Sequence, residues 1–154
     1  LVIKPKVQTV TAILNKAMKS VHLHFPHLEV SLKVEPEAEC VLADKDRMTQ
    51  VFVNILENAA RYNDKEKPTC NVRSEKIDDS VVISFSDNGI GVSEKHLSKI
   101  FDSFYQVDMG SGRKVGGTGL GLSICRGIMA AHGGKIWAEQ NPKGGTVFKI
   151  SLSL

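Results

Sequence analysis

The sequence lacks the features that mark membrane-spanning, secreted and nucleic-acid-binding proteins. No apolar run approaches the ~18 residues of a membrane span, and no cluster of Lys and Arg is interleaved with aromatic residues. Only three cysteines occur, Cys40, Cys70 and Cys125, and they lie far apart with no CxxC pair. An odd number of scattered cysteines predicts buried free thiols in a reducing compartment. We therefore expect a cytoplasmic domain that contacts neither nucleic acid nor membrane.

The chain also lacks internal repeats, low-complexity segments and a signal-peptide pattern, and it starts at Leu1 rather than Met. We interpret it as a fragment or a processed product. Its 154 residues, 42% of them hydrophobic and with a net charge of +3, suit a single domain over residues 1–154. Within that domain, residues 1–27 are interpreted as an N-terminal helix and loop and residues 28–154 as the remaining core.

Apolar periodicity predicts the order of helices and strands. Helices are predicted over residues 5–21, 44–62, 93–100 and 120–131, and strands over residues 29–34, 71–75, 81–86, 135–139 and 146–152. This arrangement predicts an α+β protein, a two-layer α/β sandwich in which a mixed, mostly antiparallel sheet packs on helices.

The helix predicted over residues 44–62 carries polar residues that a solvent-facing helix does not need. Opposite its apolar face, Asn54, Asn58 and Arg61 lie within about 60° of one another. Asn is a poor residue for a helix interior, because its amide competes for backbone hydrogen bonds. A solvated face explains a single Asn, but two of them one turn apart beside an Arg favour a binding site. An Asn amide oxygen suits a Mg²⁺ ion that already carries phosphate oxygens and waters.

A first glycine-rich loop, DNGIGV, spans residues 87–92 and follows a predicted strand. DNG alone is a turn signal, and the Asp87 carboxylate would then only bond its own backbone. In a binding site the same carboxylate would accept a hydrogen bond from an exocyclic amine, and Gly89 and Gly91 would let a flat ring approach the backbone.

A second loop, GGTGLGLSI, spans residues 116–124, with Gly117, Gly119 and Gly121 in strict alternation before an apolar helix. Backbone N–H groups at a helix N-terminus bind anions, and glycines let phosphate oxygens come close. A flexible connector is the alternative, but it leaves the alternation unexplained. No strand feeds a GxGxxG here and no GxxxxGK[ST] occurs, so a Rossmann fingerprint and a P-loop are both excluded.

Between the two loops, IFDSFY at residues 100–105 places Phe101 and Phe104 three apart, a spacing most often found in a core. The following residues, 106–116, are polar and glycine-rich and include Arg113 and Lys114. This composition is typical of a mobile lid, which we expect over about residues 105–117, with an order that depends on ligand.

Four segments occur along the chain in the order NILENAARY, DNGIGV, IFDSFYQV and GGTGLGLSI. They resemble the asparagine box, first glycine box, phenylalanine box and second glycine box of the ATP-binding domain of sensor histidine kinases. That domain belongs to the superfamily of gyrase, Hsp90, histidine kinases and MutL, and the resemblance extends from about Val7 to the C-terminus. It implies the α/β sandwich of that superfamily, the Bergerat fold, with ATP and Mg²⁺ as cofactors and ATP held between the helices and a lid.

The resemblance also implies roles for individual residues. The magnesium-binding Asn of the family corresponds to Asn58, and the adenine-binding Asp corresponds to Asp87. Catalytic roles are implied for residues of the asparagine box and the lid, namely Asn54, Asn58, Arg61, Arg113 and Lys114. Nucleotide contacts are implied in all four boxes, at Asn58, Arg61, Tyr62, Asp87, Gly89, Ile90, Gly91, Phe101, Phe104, Gly117, Thr118, Gly119, Leu120, Gly121 and Leu122.

One position of the asparagine box bears on the reaction. Superfamily members that hydrolyse ATP place a Glu one turn before the magnesium Asn, as the base for the attacking water. This chain has Asn54 there, which cannot accept a proton at neutral pH, and Glu57 lies about 100° around the helix from Asn58. The missing base favours phosphoryl transfer to an imidazole, which rests on positioning and charge neutralisation.

A second position differs from the family pattern after the phenylalanine box. Kinases of the family often carry an Arg directly after the Phe-Tyr pair, near the γ-phosphate, where this chain has Gln106. Arg113 or Lys114 from the lid would then supply the missing charge.

The family's phosphoacceptor motif, a His followed by an acidic residue and then Arg-Thr-Pro-Leu on a dimerising helix, does not occur in the chain. His22, His24 and His27 lie in a predicted loop without that pattern, and their close spacing makes only a weak case for a metal site. The resemblance therefore implies the catalytic half of a kinase. Its partners would be a separate histidine-containing dimerisation domain, through which the protein forms homodimers, and the receiver domain of a response regulator. Membrane anchoring of the full-length protein, in the inner membrane, is common in the family.

Three other functions fit parts of the pattern. An ATPase of another superfamily branch, driving a conformational clamp, would need the base that Asn54 replaces and the extra domains of those machines. A non-catalytic module that binds nucleotide to regulate a partner is consistent with Gln106. A purely structural domain would require all four segments to be coincidence.

Overall fold

The structure is a computed structural model that describes residues 1–105 and 121–154. The described residues form seven strands and three helices. In chain order they are β1 (Lys6–Thr9), α1 (Val10–His24), β2 (Glu29–Val34), β3 (Cys40–Ala43), α2 (Lys45–Arg61), β4 (Thr69–Ile77), β5 (Ser80–Asp87), α3 (Gly121–Ala131), β6 (Lys135–Gln140) and β7 (Thr146–Ser153). Short 3₁₀ turns occupy Pro36–Ala38 and Glu94–His96.

Five of the strands form one sheet in the order β2-β4-β5-β7-β6. β2 and β4 are parallel, and the other three neighbouring pairs are antiparallel. β1 and β3 form a separate antiparallel pair. The mixed, mostly antiparallel sheet expected from the sequence is confirmed, and the central strand of that sheet, β5, ends at Asp87.

The helices cover the sheet because each carries an apolar face. Phe52 of α2 is fully buried, and its ring lies 5.1 Å from that of Phe85 in β5 at a near-perpendicular angle. Burying one such side chain contributes roughly 1.5–3 kcal/mol. The predicted two-layer sandwich is therefore confirmed. None of the helices in the described part of the chain combines the length and the hydropathy that crossing a bilayer requires.

The prediction for α2 is confirmed at both ends. Asp44 is the N-cap, since its Oδ1 accepts a hydrogen bond of 3.1 Å from the N–H of Arg47. At the other end the N–H of Tyr62 donates to the carbonyl of Asn58 at 3.0 Å. The helix therefore runs straight through the asparagine-bearing segment.

The prediction for the first helix is wrong at its start. The helix begins at Val10 and continues to His24, not over residues 5–21, and Lys6–Thr9 is a strand. Thr9 is the N-cap, because its Oγ1 accepts from the N–H of Ala12 at 3.1 Å. The residues before it pair with β3, so a long-range partner determines their conformation.

The short helical stretch predicted near residues 93–100 is confirmed only in part. Only Glu94–His96 forms a 3₁₀ turn, and the residues after it are turns. The N–H groups of His96 and Lys99 each reach back three residues, to the carbonyls of Ser93 and His96. Such bonds close tight turns, and a single bond of the α-helical type follows, from the N–H of Ile100 to the carbonyl of His96 at 3.1 Å.

The three cysteines are not all buried as predicted. Cys40 is exposed, because the alternation of β3 places it on the outer face, whereas Cys70 and Cys125 are buried. Burial raises the pKa of Cys125 to about 12 and raises the pKa of Cys70 further. Both buried thiols therefore stay protonated at neutral pH.

Candidate functional site

Asp87 is a buried carboxylic acid at the end of the central strand, with 7% of its surface exposed. Its Oδ1 accepts two backbone hydrogen bonds, from the N–H of Gly89 at 2.9 Å and from the N–H of Thr146 at 3.0 Å. Burial raises the pKa of the Asp87 carboxyl, and these two N–H groups act in the opposite direction. Because both N–H groups use the same oxygen, Oδ2 receives neither bond and retains its acceptor capacity toward a ligand.

The first glycine loop packs against the C-terminal end of α2. The N–H of Ile90 donates to the carbonyl of Tyr62 at 3.0 Å, and a Cβ atom on Gly89 would lie only 2.4 Å from that carbonyl oxygen. Gly91 has a φ of +79°, which a residue with a side chain rarely adopts. The close approach that requires glycine at position 89 is therefore an approach to α2.

Asn88 connects this loop to the segment between α2 and β4, a role that the sequence analysis missed. Its Oδ1 accepts from the Asn63 side chain at 2.8 Å and from the N–H of Thr69 at 2.9 Å. Its Nδ2 donates to the carbonyl of Lys67 at 3.0 Å. The amide thus satisfies both its donor and its acceptor within the protein, which favours a structural role for Asn88.

The turn between β6 and β7 forms a further wall beside Asp87. The Asn141 side chain donates from Nδ2 to the backbone carbonyl of Asp87 at 3.1 Å. A Cβ atom on Gly145 would lie 2.1 Å from the same carbonyl oxygen, so only glycine allows this contact. Residues 54 positions apart in the chain meet here, and no local sequence signal identifies them.

Asn54 joins α2 to the first turn of α3. Its Nδ2 donates to the carbonyl of Gly121 at 3.2 Å and contacts Sγ of Cys125 at 3.5 Å. Two residues predicted from different boxes are therefore in direct contact. Asn58 lies one turn further along α2 and is half-buried.

The end of α2 carries two more of the predicted residues. The guanidinium carbon of Arg61 lies 5.6 Å from the centre of the Phe25 ring, which follows α1. Tyr62 is half-buried, and burial raises the pKa of its phenol. Glu57 lies toward α1, with Oε2 3.7 Å from Nδ1 of His24.

The two phenylalanines of the third box separate in the structure. Phe101 is buried and packs nearly perpendicular to Phe148, with ring centres 6.2 Å apart, whereas Phe104 is 71% exposed. The expected core spacing is therefore correct for Phe101 only. Of the remaining predicted residues, Ile90 is exposed and Leu122 is half-buried against the core.

Several predictions lie outside the described residues. They concern Gln106, the lid residues Arg113 and Lys114, and the second glycine loop at Gly117, Thr118, Gly119 and Leu120. The expected lid over about residues 105–117 lies outside them as well, except for Tyr105, whose hydroxyl hydrogen-bonds Nδ1 of His96.

Within residues 1–105 and 121–154, no three His, Cys, Asp or Glu side chains are arranged to hold a metal ion. The weak metal hypothesis for His22, His24 and His27 is therefore wrong. A cation at this site would need most of its ligands from a bound molecule. The amide oxygen of Asn58 fits that situation, as a neutral hard ligand for a metal that arrives with phosphate oxygens.

Comparison with known proteins identifies the family. The family model described as histidine kinase-, DNA gyrase B- and HSP90-like ATPase matches residues 43–154. The chain belongs to this family of ATP-binding domains.

Curated relatives of the chain include sensor kinases. Sensor protein kinase WalK of Staphylococcus haemolyticus (strain JCSC1435) is 44% identical over 110 residues, which are 71% of this chain and 18% of that protein. WalK of Staphylococcus aureus is 44% identical over 110 residues, 26% of its length. The chain thus spans about a fifth to a quarter of the length of these two relatives.

Solved structures agree with the fold. The catalytic domain of histidine kinase ThkA is 27% identical and superimposes with a TM-score of 0.81 over 98% of this chain and 96% of that domain. The mycobacterial sensor histidine kinase MprB superimposes with a TM-score of 0.84 over 96% and 97% of the two chains, at 23% identity. The domain is therefore of the histidine kinase catalytic type.

Proposed function

We propose that this domain binds ATP with Mg²⁺ and donates the γ-phosphoryl group to a histidine on a separate dimerisation domain. The observation that carries the proposal is the buried carboxylate of Asp87, which has one oxygen fixed by two backbone N–H groups and the other left for a ligand. A buried acceptor of this kind discriminates a base that presents an amine from one that presents a carbonyl.

At the adenine end, Asp87 would accept a hydrogen bond from the exocyclic amine through Oδ2. The charge on this carboxylate is costly to bury, and an amine donor would offset that cost. Gly89, Ile90 and Gly91 would form the backbone surface beside the base, with Tyr62 behind them at the end of α2.

At the phosphate end, Asn58 would hold Mg²⁺ through its amide oxygen. The metal would neutralise charge on the phosphate oxygens. Helix α3 starts at Gly121, and its N-terminus would add partial positive charge from backbone N–H groups. Asn54 would position this helix start, because its side chain bonds the Gly121 carbonyl.

Two observations favour transfer to an imidazole over hydrolysis. Asn54 uses its amide to join α2 and α3 and has no basic group for activating water. Glu57, the nearest acid on the same helix, lies beside His24 of α1. A neutral imidazole is already nucleophilic, so the domain's part in the reaction would be to position and neutralise the phosphates.

The phosphoryl group would pass from the dimerisation domain to a response regulator. The histidine kinase ThkA, solved in complex with response regulator protein TrrA, superimposes with a TM-score of 0.71 at 28% identity, over 97% of this chain and 41% of that one. We extend this partner class to the present chain as part of the proposal.

The test combines the purified domain, radiolabelled ATP, Mg²⁺ and the purified dimerisation domain of a relative such as WalK. We expect acid-labile, alkali-stable phosphate on the dimerisation domain and none when Asn58→Ala is used. The matched control is Gln50→Ala, on the same helix and also half-buried, which should transfer normally. Rapid release of inorganic phosphate without the dimerisation domain would instead establish an ATPase. Tight ATP binding with no transfer would establish a non-catalytic regulatory module.

A further inference from the structure

We propose that Asn141 is a positioning residue that sets the adenine selectivity of the site, by tying the β6–β7 turn to the backbone of Asp87. This inference rests on the proposed nucleotide function and extends it to a part of the chain outside the four boxes.

The side chain of Asn141 donates one hydrogen bond and accepts another. Its Oδ1 accepts from the N–H of Lys143 at 3.2 Å, within the turn, and its Nδ2 donates to the carbonyl of Asp87 at 3.1 Å. Only an amide side chain of this length offers both an acceptor and a donor here. Asn141 therefore links the backbone of the β6–β7 turn to the end of the central strand, β5.

The β6–β7 turn also fixes the orientation of the Asp87 carboxylate. Thr146, the first residue after the turn, donates its N–H to Oδ1 of Asp87 at 3.0 Å. The preceding Gly145 has a φ of +94°, and a Cβ atom there would lie 2.7 Å from the same Oδ1. The carboxylate is thus held from the turn on one side and from Gly89 of its own loop on the other.

Loss of the Asn141 bond would change the position of the β6–β7 turn and then the orientation of the Asp87 carboxylate. Without the Asn141 side chain the turn loses this bond to the Asp87 backbone, although the pairing of Ser86 with Val147 still holds the start of β7. The N–H of Thr146 can then shift relative to Oδ1. The carboxylate would then rotate, so that Oδ2 no longer keeps one direction toward the amine of adenine. A hydrogen bond weakens steeply as its donor–hydrogen–acceptor angle departs from linear, so the bond from the adenine amine to Oδ2 would weaken and ATP would bind less tightly. A nucleotide such as GTP, which presents a carbonyl in place of the adenine amine, would lose no affinity.

The experiment measures the affinities for ATP and GTP by calorimetry for Asn141→Ala and Asn141→Asp. Asp keeps the Oδ1 acceptor but loses the donor and places a charged oxygen near the Asp87 carbonyl. Two control variants accompany them. Lys143→Ala changes an exposed side chain in the same turn and keeps its backbone N–H. Val30→Ala removes a half-buried side chain from β2, at the opposite edge of the sheet, and reports the effect of reduced stability alone.

We expect both Asn141 variants to lose about threefold to tenfold in ATP affinity, the value of one net hydrogen bond, with GTP affinity unchanged. The preference for ATP over GTP should therefore narrow by that factor, and both controls should keep the wild-type preference. Equal weakening of ATP and GTP, or an unchanged preference, would overturn the positioning role while leaving the proposed function intact. Wild-type protein that fails to bind ATP would overturn the proposed function and this inference together.

Discussion

The substitution Asp87→Asn separates the binding role of Asp87 from its structural role. Both N–H groups that bond the carboxylate donate to Oδ1, and the amide oxygen of Asn can accept both in the same position. The amide nitrogen then takes the place of Oδ2. The replacement therefore keeps the internal hydrogen bonds and changes only the group that faces the ligand, from an acceptor to a donor.

The expected loss of ATP affinity follows from the bond that is removed. A hydrogen bond to a charged group contributes roughly 1.5–3 kcal/mol net, which corresponds to about 10- to 150-fold in affinity. The new amide would also face the amine of adenine as a second donor, so the loss should lie toward the upper end. Guanine presents an oxygen where adenine presents its amine, and GTP should lose less or gain.

The same substitution should stabilise the fold at neutral pH. Burial raises the pKa of the Asp87 carboxyl, so the folded protein binds this proton more tightly than the unfolded chain. The contribution to stability is then fully present below the ordinary Asp pKa of about 3.9 and is lost as pH rises through the raised value. Asn has no charge to bury, so the variant should melt at a higher temperature than wild type at pH 7. That gain should vanish near pH 3.

Calorimetry with ATP and GTP and thermal melts at the two pH values test this pair of effects. Asp79→Asn is the matched control, since Asp79 lies in the turn between β4 and β5 and is exposed. An Asp87→Asn protein that keeps the wild-type preference for ATP would refute the role given to Oδ2. A variant that melts lower than wild type at pH 7 would show that the carboxylate is held more favourably than its burial implies.

Three further predictions concern other parts of the molecule. Asn58→Ala should abolish the magnesium-dependent part of ATP binding with little change in melting temperature, as measured by calorimetry with and without Mg²⁺; unchanged affinity would count against this metal role. Gly89→Ala should destabilise the fold by roughly 1–3 kcal/mol in urea denaturation, because its Cβ would lie 2.4 Å from the carbonyl oxygen of Tyr62; an unchanged midpoint would show that the loop can shift. In native protein at pH 8, iodoacetamide should modify Cys40 and leave Cys125 intact, as shown by mass spectrometry, because burial raises the pKa of Cys125 to about 12; equal modification would contradict this burial.

The elements that the sequence predicted well are those whose signals are local. Helix α2 combines an apolar face of helical spacing with an N-cap at Asp44, and its predicted and observed bounds agree. The strand at Lys6–Thr9 could not be predicted in this way, because its partner in β3 lies more than 30 residues further along the chain. A short segment with such a partner adopts the conformation that the pairing demands, whatever its local periodicity.

The residues of the candidate site differ in the same way, because some carry a local signal in the sequence and others do not. Asp87 and Asn54 could be found because each lies in a compact motif with unusual residues. Asn141 and Thr146 could not, because they lie 54 and 59 positions from Asp87 and meet it only after β5 and β7 have paired. The sequence predicted that Gly89 and Gly91 let a flat ring approach the backbone, and that role stays a prediction. At Gly89 and Gly145, however, the approaching group is the protein's own backbone.

Helix α2 connects the two ends of the proposed nucleotide site. At its middle, Asn54 bonds the carbonyl of Gly121, where α3 begins, and at its start the N–H of Asp44 donates to Nε2 of His132 at 3.0 Å, where α3 ends. At its far end the carbonyl of Tyr62 accepts from the first glycine loop. The first glycine loop and the start of α3 are therefore both hydrogen-bonded to α2. In the proposed site, α2 would therefore set the distance between the adenine and the phosphates. The bond from Asn54 to the Gly121 carbonyl accounts for one asparagine on the polar face of this helix, and the metal role proposed for Asn58 would account for the other.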